Sequence, residues 1–358
     1  MRSSHRRTKG NLVASALAGA WRATPSSELD ITESQLDEIT PLFCSSGGAG
    51  LGWWRVRTTR LSETPSGQVL RQAYRLQTLQ SAIHEEEIQK VFRLLREAGV
   101  EPILAKGWAA ANFYPDQALR AYGDIDLLVS DDQFARAENV LQSEEASDCW
   151  VDLHRSFAEL PDRKVEKLFE RSTLLDLNGH QIRVLSDEDH LALLAIHLLK
   201  HGAWRPLWLC DIGAVVESIP STFDWSICLG PNQKKATWIL VAVRLAGSLL
   251  NAKTEHLALS REKAELPQWL IASVLRQWDK PVAGDRPPMS HPRPMSSFLK
   301  SPRGLWEGLQ QRWPDPILAT VSVNGSFSEI PRLPYQVGNC LLRTGQFLKD
   351  LRWRLQNS

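Results

Sequence analysis

Two aspartates one residue apart, Asp124 and Asp126, stand at the mouth of the apolar run Ile125-Asp126-Leu127-Leu128-Val129. In a strand successive side chains point to opposite faces, so these two carboxylates project together while Ile125 and Leu127 project the other way. At about 3.3 Å per residue their Cα atoms lie roughly 6.5 Å apart, a span over which both acids can reach one hard cation. A third acid, Asp152, follows in Trp150-Val151-Asp152-Leu153-His154, which also reads as a short strand. On neighbouring strands the three carboxylates repel one another unless a cation neutralises them, and they can hold one or two Mg²⁺ ions.

Cationic and polar groups flank these acids. Lys106-Gly107 sits where a strand turns into a helix; Gly107 allows close backbone approach to a phosphate, and Lys106 offers it a positive charge. Arg120 can clamp phosphate oxygens with its two-pronged fork, or pair with a carboxylate. His154 shares a strand face with Asp152 and can orient a substrate or a neighbouring carboxylate. His190, His197 and His201 fall on one face of a helix with Lys200 beside them, but no Glu stands between the last two histidines as a metalloprotease requires. Asp211 can cap a helix or pair with one of the basic groups.

The elements that must position these residues are legible from periodicity. A helix is expected over Ile31 to Phe43, ending at Ser45-Ser46-Gly47-Gly48-Ala49-Gly50, which reads as a flexible connection because it lacks the Gly-Lys-Ser/Thr close of a phosphate loop. Apolar residues from Leu70 to Leu95 recur at helical spacing up to Gly99. Pro102 to Ala105 and Ile125 to Val129 read as strands, Ala109 to Phe113 as a helical turn, and Asp131 or Asp132 can cap a helix through Leu141. Cys149 to His154 is a third strand, and Thr173 to Leu177 with Gln181 to Leu185 form a hairpin about Asn178-Gly179. Ser186 opens a helix running to His201, and helices follow over Leu207 to Glu217, Thr237 to Leu250 and Gln268 to Trp278. The expected class is α/β (α+β): a small mixed sheet flanked by helices, with a helical C-terminal domain.

Five divisions follow: a tail and helical arm over residues 1–60, the α/β core with its leading long helix over 61–186, a helical domain over 187–280, a Pro-rich linker over 281–304, and a C-terminal amphipathic segment over 305–358. In the last, Leu341 to Leu355 reads as a helix docking its apolar face on the body. The start is basic and leads into an alanine-rich stretch that only faintly imitates an export signal, so it reads as a tail entering a helix.

At 358 residues, 43% hydrophobic and 23% charged, the chain has the composition of a folded protein with a substantial core. A net charge of +1 argues against a whole-surface nucleic-acid footprint, so nucleic acid is not the favoured partner. Cys44, Cys149, Cys210, Cys228 and Cys340 form no paired motif, which suits reduced thiols in a cytoplasmic setting. The longest apolar run, Trp238 to Leu250, is too short to span a bilayer. Most of the 14 tryptophans are expected in the core or partly buried.

Taken in order, Lys106-Gly107, Tyr114, Arg120, Gly123 to Val129, Val151 to His154 and the helices from Leu191 to Asp211 resemble the nucleotidyltransferase superfamily that includes DNA polymerase β and the aminoglycoside nucleotidyltransferases. The closer resemblance is to the uncharacterised nucleotidyltransferase family of bacterial chains, over about residues 70 to 220. That resemblance implies Mg²⁺-dependent transfer of a nucleotidyl group from a nucleoside triphosphate to an acceptor hydroxyl, with a small molecule as the expected acceptor. It implies that Asp124 and Asp126 carry the metals that grip the triphosphate, that Asp152 completes the second metal site or takes the acceptor's proton, and that Lys106, Gly107 and Arg120 meet the nucleotide. His154, His197, Lys200 and His201 then contact acceptor or base. The chain departs from the superfamily in carrying Lys106-Gly107 where Gly-Ser or Gly-Gly is usual. Two alternatives stay open: a non-catalytic nucleotide- or partner-binding adaptor, and a toxin-like enzyme modifying transfer RNA.

Overall fold

The structure, a computed structural model, describes residues 7–25, 28–254, 257, 266–280 and 312–356, with side chains through 349; the expected linker at 281–304 lies outside them. The five strands are β1 (Ile103–Ala105), β2 (Ile125–Leu128), β3 (Val151–His154), β4 (Thr173–Leu177) and β5 (His180–Val184), ordered β3-β2-β1-β5-β4. β2 runs parallel to β3 and antiparallel to β1, while β5 runs parallel to β1 and antiparallel to β4. The sheet is therefore mixed. Asn178 (φ 51°) and Gly179 (φ 87°) turn the β4–β5 hairpin with the positive φ angles that this residue pair tolerates.

Fourteen helices surround the sheet among the described residues. α1 (Lys9–Leu17) buries Leu12, Val13, Ala16 and Leu17, so this stretch is part of the core. α2 (Glu33–Ser46) opens on a reciprocal Thr32–Gln35 capping box and closes at Gly47, which is left-handed. α3 (Ala49–Val56) starts two residues later, which corrects the expected flexible connection: Ala49 to Gly52 are buried, and Gly50 lies against the Leu119 backbone. The small residues serve close packing instead.

α4 (Pro65–Glu97) is one unbroken helix, started by Thr64 and Pro65 and followed by left-handed Gly99. After α5 (Gly107–Ala111) comes α6 (Asp131–Leu141), whose N-cap is Ser130, with Asp131 and Asp132 in the first turn where acids favour the helix dipole. α7 (Val165–Arg171) and α8 (Asp187–Lys200) follow, then α9 (Pro206–Ser218), α10 (Trp225–Leu229), α11 (Gln233–Leu250), α12 (Gln268–Trp278), α13 (Pro316–Ser322) and α14 (Leu333–Gln356).

Alternation along the strands divides the apolar interior in two. Leu104, Ile125 and Leu127 pack with Ile88, Phe92 and Leu95 of α4, whereas Ile103, Ala105 and Leu128 belong to the larger core built on α1, α8, α9 and α11. Of the segment expected to dock, Leu341 to Leu355, the described side chains Leu341, Phe347 and Leu348 of α14 are exposed rather than packed on the body. No helix among the described residues is long and apolar enough to cross a membrane.

Candidate active site

Asp126 shares its strand face with Leu128, toward the helical layer, and is 3% exposed. Parallel pairing sets Asp126 opposite Asp152 and Leu128 opposite His154, so two acids and an imidazole collect at one edge of the sheet. Their nearest ligand atoms all lie within 4.8 Å of one another. His154 Nε2 is 3.1 Å from Asp126 Oδ1 and 3.3 Å from Asp152 Oδ2. The sequence supplies each residue, but strand register brings them together.

The antiparallel partner of Asp126 is Ala105, and the next residue, Lys106, donates from Nζ to Asp126 Oδ1 at 2.8 Å. Lys106 has φ 53° and ψ −137°, and Gly107 has φ 31°. Burial alone would push the Asp126 carboxyl up, but the His154 hydrogen bond and the Lys106 charge outweigh it and hold the group below its ordinary value. Asp126 is therefore a buried anion with two donors on one oxygen.

Asp124 stands one residue before β2 and is exposed. With Gly123, Trp150, Val151 and Asp152 it lines an open cavity of about 360 Å³. It belongs to neither of the two three-residue groups with metal-ligand spacing among the described residues, although Asp152 joins its cavity to the first group. Donor number and type fit one divalent cation, with Asp126 and Asp152 as the buried and solvent-facing carboxylates and Asp124 on the cavity side.

Arg120 turns toward the helices. Its fork grips Asp211 of α9, Nε to Oδ1 at 3.1 Å and Nη2 to Oδ2 at 2.9 Å, and Tyr114 donates to the same Oδ1 at 2.7 Å. Arg120 is 5% exposed and Asp211 0%, so of the two roles open to this arginine the structure displays the carboxylate pair. Asp211 meets the expectation that it pairs with a basic group.

The second group with ligand spacing is Glu159, His197 and His201. Glu159 Oε1 lies 3.7 Å from both His197 Nδ1 and Lys200 Nζ, beyond hydrogen-bond range. Burial raises the Glu159 carboxyl, but His197, Lys200 and Lys106 together bring it down to about 2. The His197 and His201 rings are 4.4 Å apart and both face Trp208, at 4.7 and 5.3 Å. This makes the expected polar wall partly aromatic. His190 separates from it: it is buried against Phe113, and its Nε2 has no partner.

Sequence reasoning passed over Glu159 and Trp150. Glu159 sits in an irregular segment with no periodicity to place it, whereas Trp150, 77% exposed at the cavity rim, adjoins the acidic strand and could have been singled out by that position. Its carbonyl accepts from Ile125 N at 2.9 Å, which fixes its backbone beside the acids.

A mixed sheet that sets carboxylates on paired strands beneath a helical layer is consistent with an α+β nucleotidyltransferase core. The family model described as uncharacterised nucleotidyltransferase matches residues 33–244, more than half of the chain, and the protein belongs to that family. The match begins at α2 and ends inside α11, so it takes in the whole sheet and the Lys106 turn. No curated protein and no solved structure matches the chain. Family membership supports nucleotidyl transfer as the general chemistry.

Proposed function

We propose that the protein moves a nucleoside monophosphate from a nucleoside triphosphate to a hydroxyl of a small-molecule acceptor and releases pyrophosphate. The bond that forms joins the acceptor oxygen to the α-phosphorus, the bond that breaks joins that phosphorus to the bridging oxygen of the β-phosphate, and the hydroxyl proton passes to a base. One observation carries this reading: the register of β2 and β3 places Asp126, Asp152 and His154 within 4.8 Å of one another, beside a cavity that Asp124 also lines. Bound Mg²⁺ would supply the charge that offsets the triphosphate and its leaving group.

The protein's own groups divide the remaining work. Asp126 is held ionised and fixed by Lys106 and His154, so it needs no rearrangement to act as a ligand. Asp152 has a side chain 59% exposed, and it is the carboxylate an acceptor hydroxyl can reach to give up its proton. Gly107 supplies backbone that a phosphate can approach. His197, Lys200, His201 and Trp208 form the wall against which acceptor or base rests.

The test is transfer of α-labelled nucleoside triphosphates to a small-molecule extract in Mg²⁺ buffer. Wild-type protein is expected to label an acceptor, and Asp126→Asn to lower the rate by about 10²-fold or more, the scale of a lost charge-stabilising group. Labelling that survives Asp126→Asn unchanged contradicts the assignment. The adaptor reading draws on the Lys106–Asp126 ion pair; calorimetry separates it, since an adaptor keeps its nucleotide affinity when Asp124 and Asp126 both become Asn.

A further inference from the structure

Lys106 holds a backbone conformation that an L side chain rarely adopts. Of the five non-glycine residues with positive φ among the described residues, Asn178, Asn251 and Asn324 are asparagines, the residue type that tolerates it best. At φ 53° and ψ −137°, Lys106 lies in neither the right- nor the left-handed helical basin, so its backbone is strained. Glycine would relieve that strain but would carry no charge.

What the lysine side chain does is visible at its tip. The ammonium reaches across the pairing of Ala105 with Asp126 to a carboxylate oxygen at 2.8 Å, with its own side chain only 16% exposed and the Phe157 ring 6.0 Å away. It sits on the buried acid that a cation would bind. Asp126 Oδ1 already accepts from both Lys106 Nζ at 2.8 Å and His154 Nε2 at 3.1 Å. One of the two oxygens is therefore taken, and the carboxylate cannot bridge two divalent ions through both.

We propose that the Lys106 ammonium takes the place of one cation, so that the site binds a single divalent ion together with the triphosphate. This inference rests on the nucleotidyl-transfer reading and sharpens it, because the three carboxylates alone leave one ion or two. The strained turn is then the device that delivers a fixed positive charge to Asp126.

Equilibrium dialysis of the full-length protein against Mn²⁺ and the α,β-methylene analogues of ATP, GTP, CTP and UTP, counting bound manganese per bound nucleotide, tests it. Wild-type protein and Lys106→Arg are expected to hold one manganese per nucleotide, and Lys106→Met, uncharged and of similar length, to hold two. Two ions in the wild type, a count that stands whether or not the variants fold, overturns the inference and leaves nucleotidyl transfer intact. One ion in a Lys106→Met protein that still binds nucleotide overturns it equally. Binding of none of the four analogues by the wild type overturns the underlying reading as well.

Discussion

Arg120 and Asp211 illustrate how one residue can serve structure where its type suggests chemistry. Removing either partner leaves a buried charge without its counterpart, so Arg120→Met and Asp211→Asn should each cost roughly 3–5 kcal/mol, and the double variant should cost less than the sum. Urea unfolding of the four proteins checks this. Full stability of Arg120→Met with loss of triphosphate affinity would instead put the guanidinium on phosphate. His190 gives a pH prediction with a definite sign: burial lowers its imidazole to about 4, so it stays neutral in the fold. The unfolded chain takes up a proton near pH 6.5 that the folded chain refuses, hence this contribution is complete above about 6.5 and is lost as pH falls toward 4. The span of about 2.5 units corresponds to roughly 3 kcal/mol. His190→Leu should flatten that part of the stability–pH profile between 6.5 and 4; an unchanged slope would contradict the burial argument.

At the scale of elements, local chemistry was legible and long-range pairing was not. Asn178-Gly179 announces the hairpin, Ser186 announces α8, and the apolar spacing of Gln268 to Trp278 gives α12 to the residue, because each signature is written within a few neighbours. The strand carrying Asp126 is legible for the same reason, and so is the acidity of its mouth. That Lys106 reaches Asp126, that Arg120 finds Asp211 some ninety residues on, and that Glu159 meets His197 depend on tertiary contacts no local pattern records. The Gly47–Gly48 turn and the exposed face of α14 failed for a related reason, since small or apolar residues do not state which neighbour they meet. Helix α1 offers an element-scale test. A Cβ on Gly10 would lie 2.1 Å from the Leu275 carbonyl of α12, and Asp279 Oδ1 accepts from Gly10 N at 2.6 Å. Gly10→Ala should therefore separate the two helices and destabilise the protein by about 1–3 kcal/mol in urea unfolding; a neutral effect would show that α1 is dispensable to the core.

For the whole molecule, the sheet and the helical layer meet along the side chains that matter most. Lys106 lies between the two groups with ligand spacing: its ammonium binds Asp126, and its charge also bears on Glu159, His197 and His201. The acids at the sheet edge and the aromatic wall on α8 and α9 thus both feel the charge of one ammonium. The central claim is that the α-phosphoryl group is what moves. Parallel reactions with ATP, GTP, CTP and UTP labelled at either the α- or the γ-position test it most directly. Label from one or more α-labelled triphosphates is expected to become attached to an acceptor, label from the matching γ-labelled compound to appear in pyrophosphate, and Asp126→Asn to suppress both. Transfer of γ-label to the acceptor, or α-label transfer that Asp126→Asn leaves untouched, would contradict it.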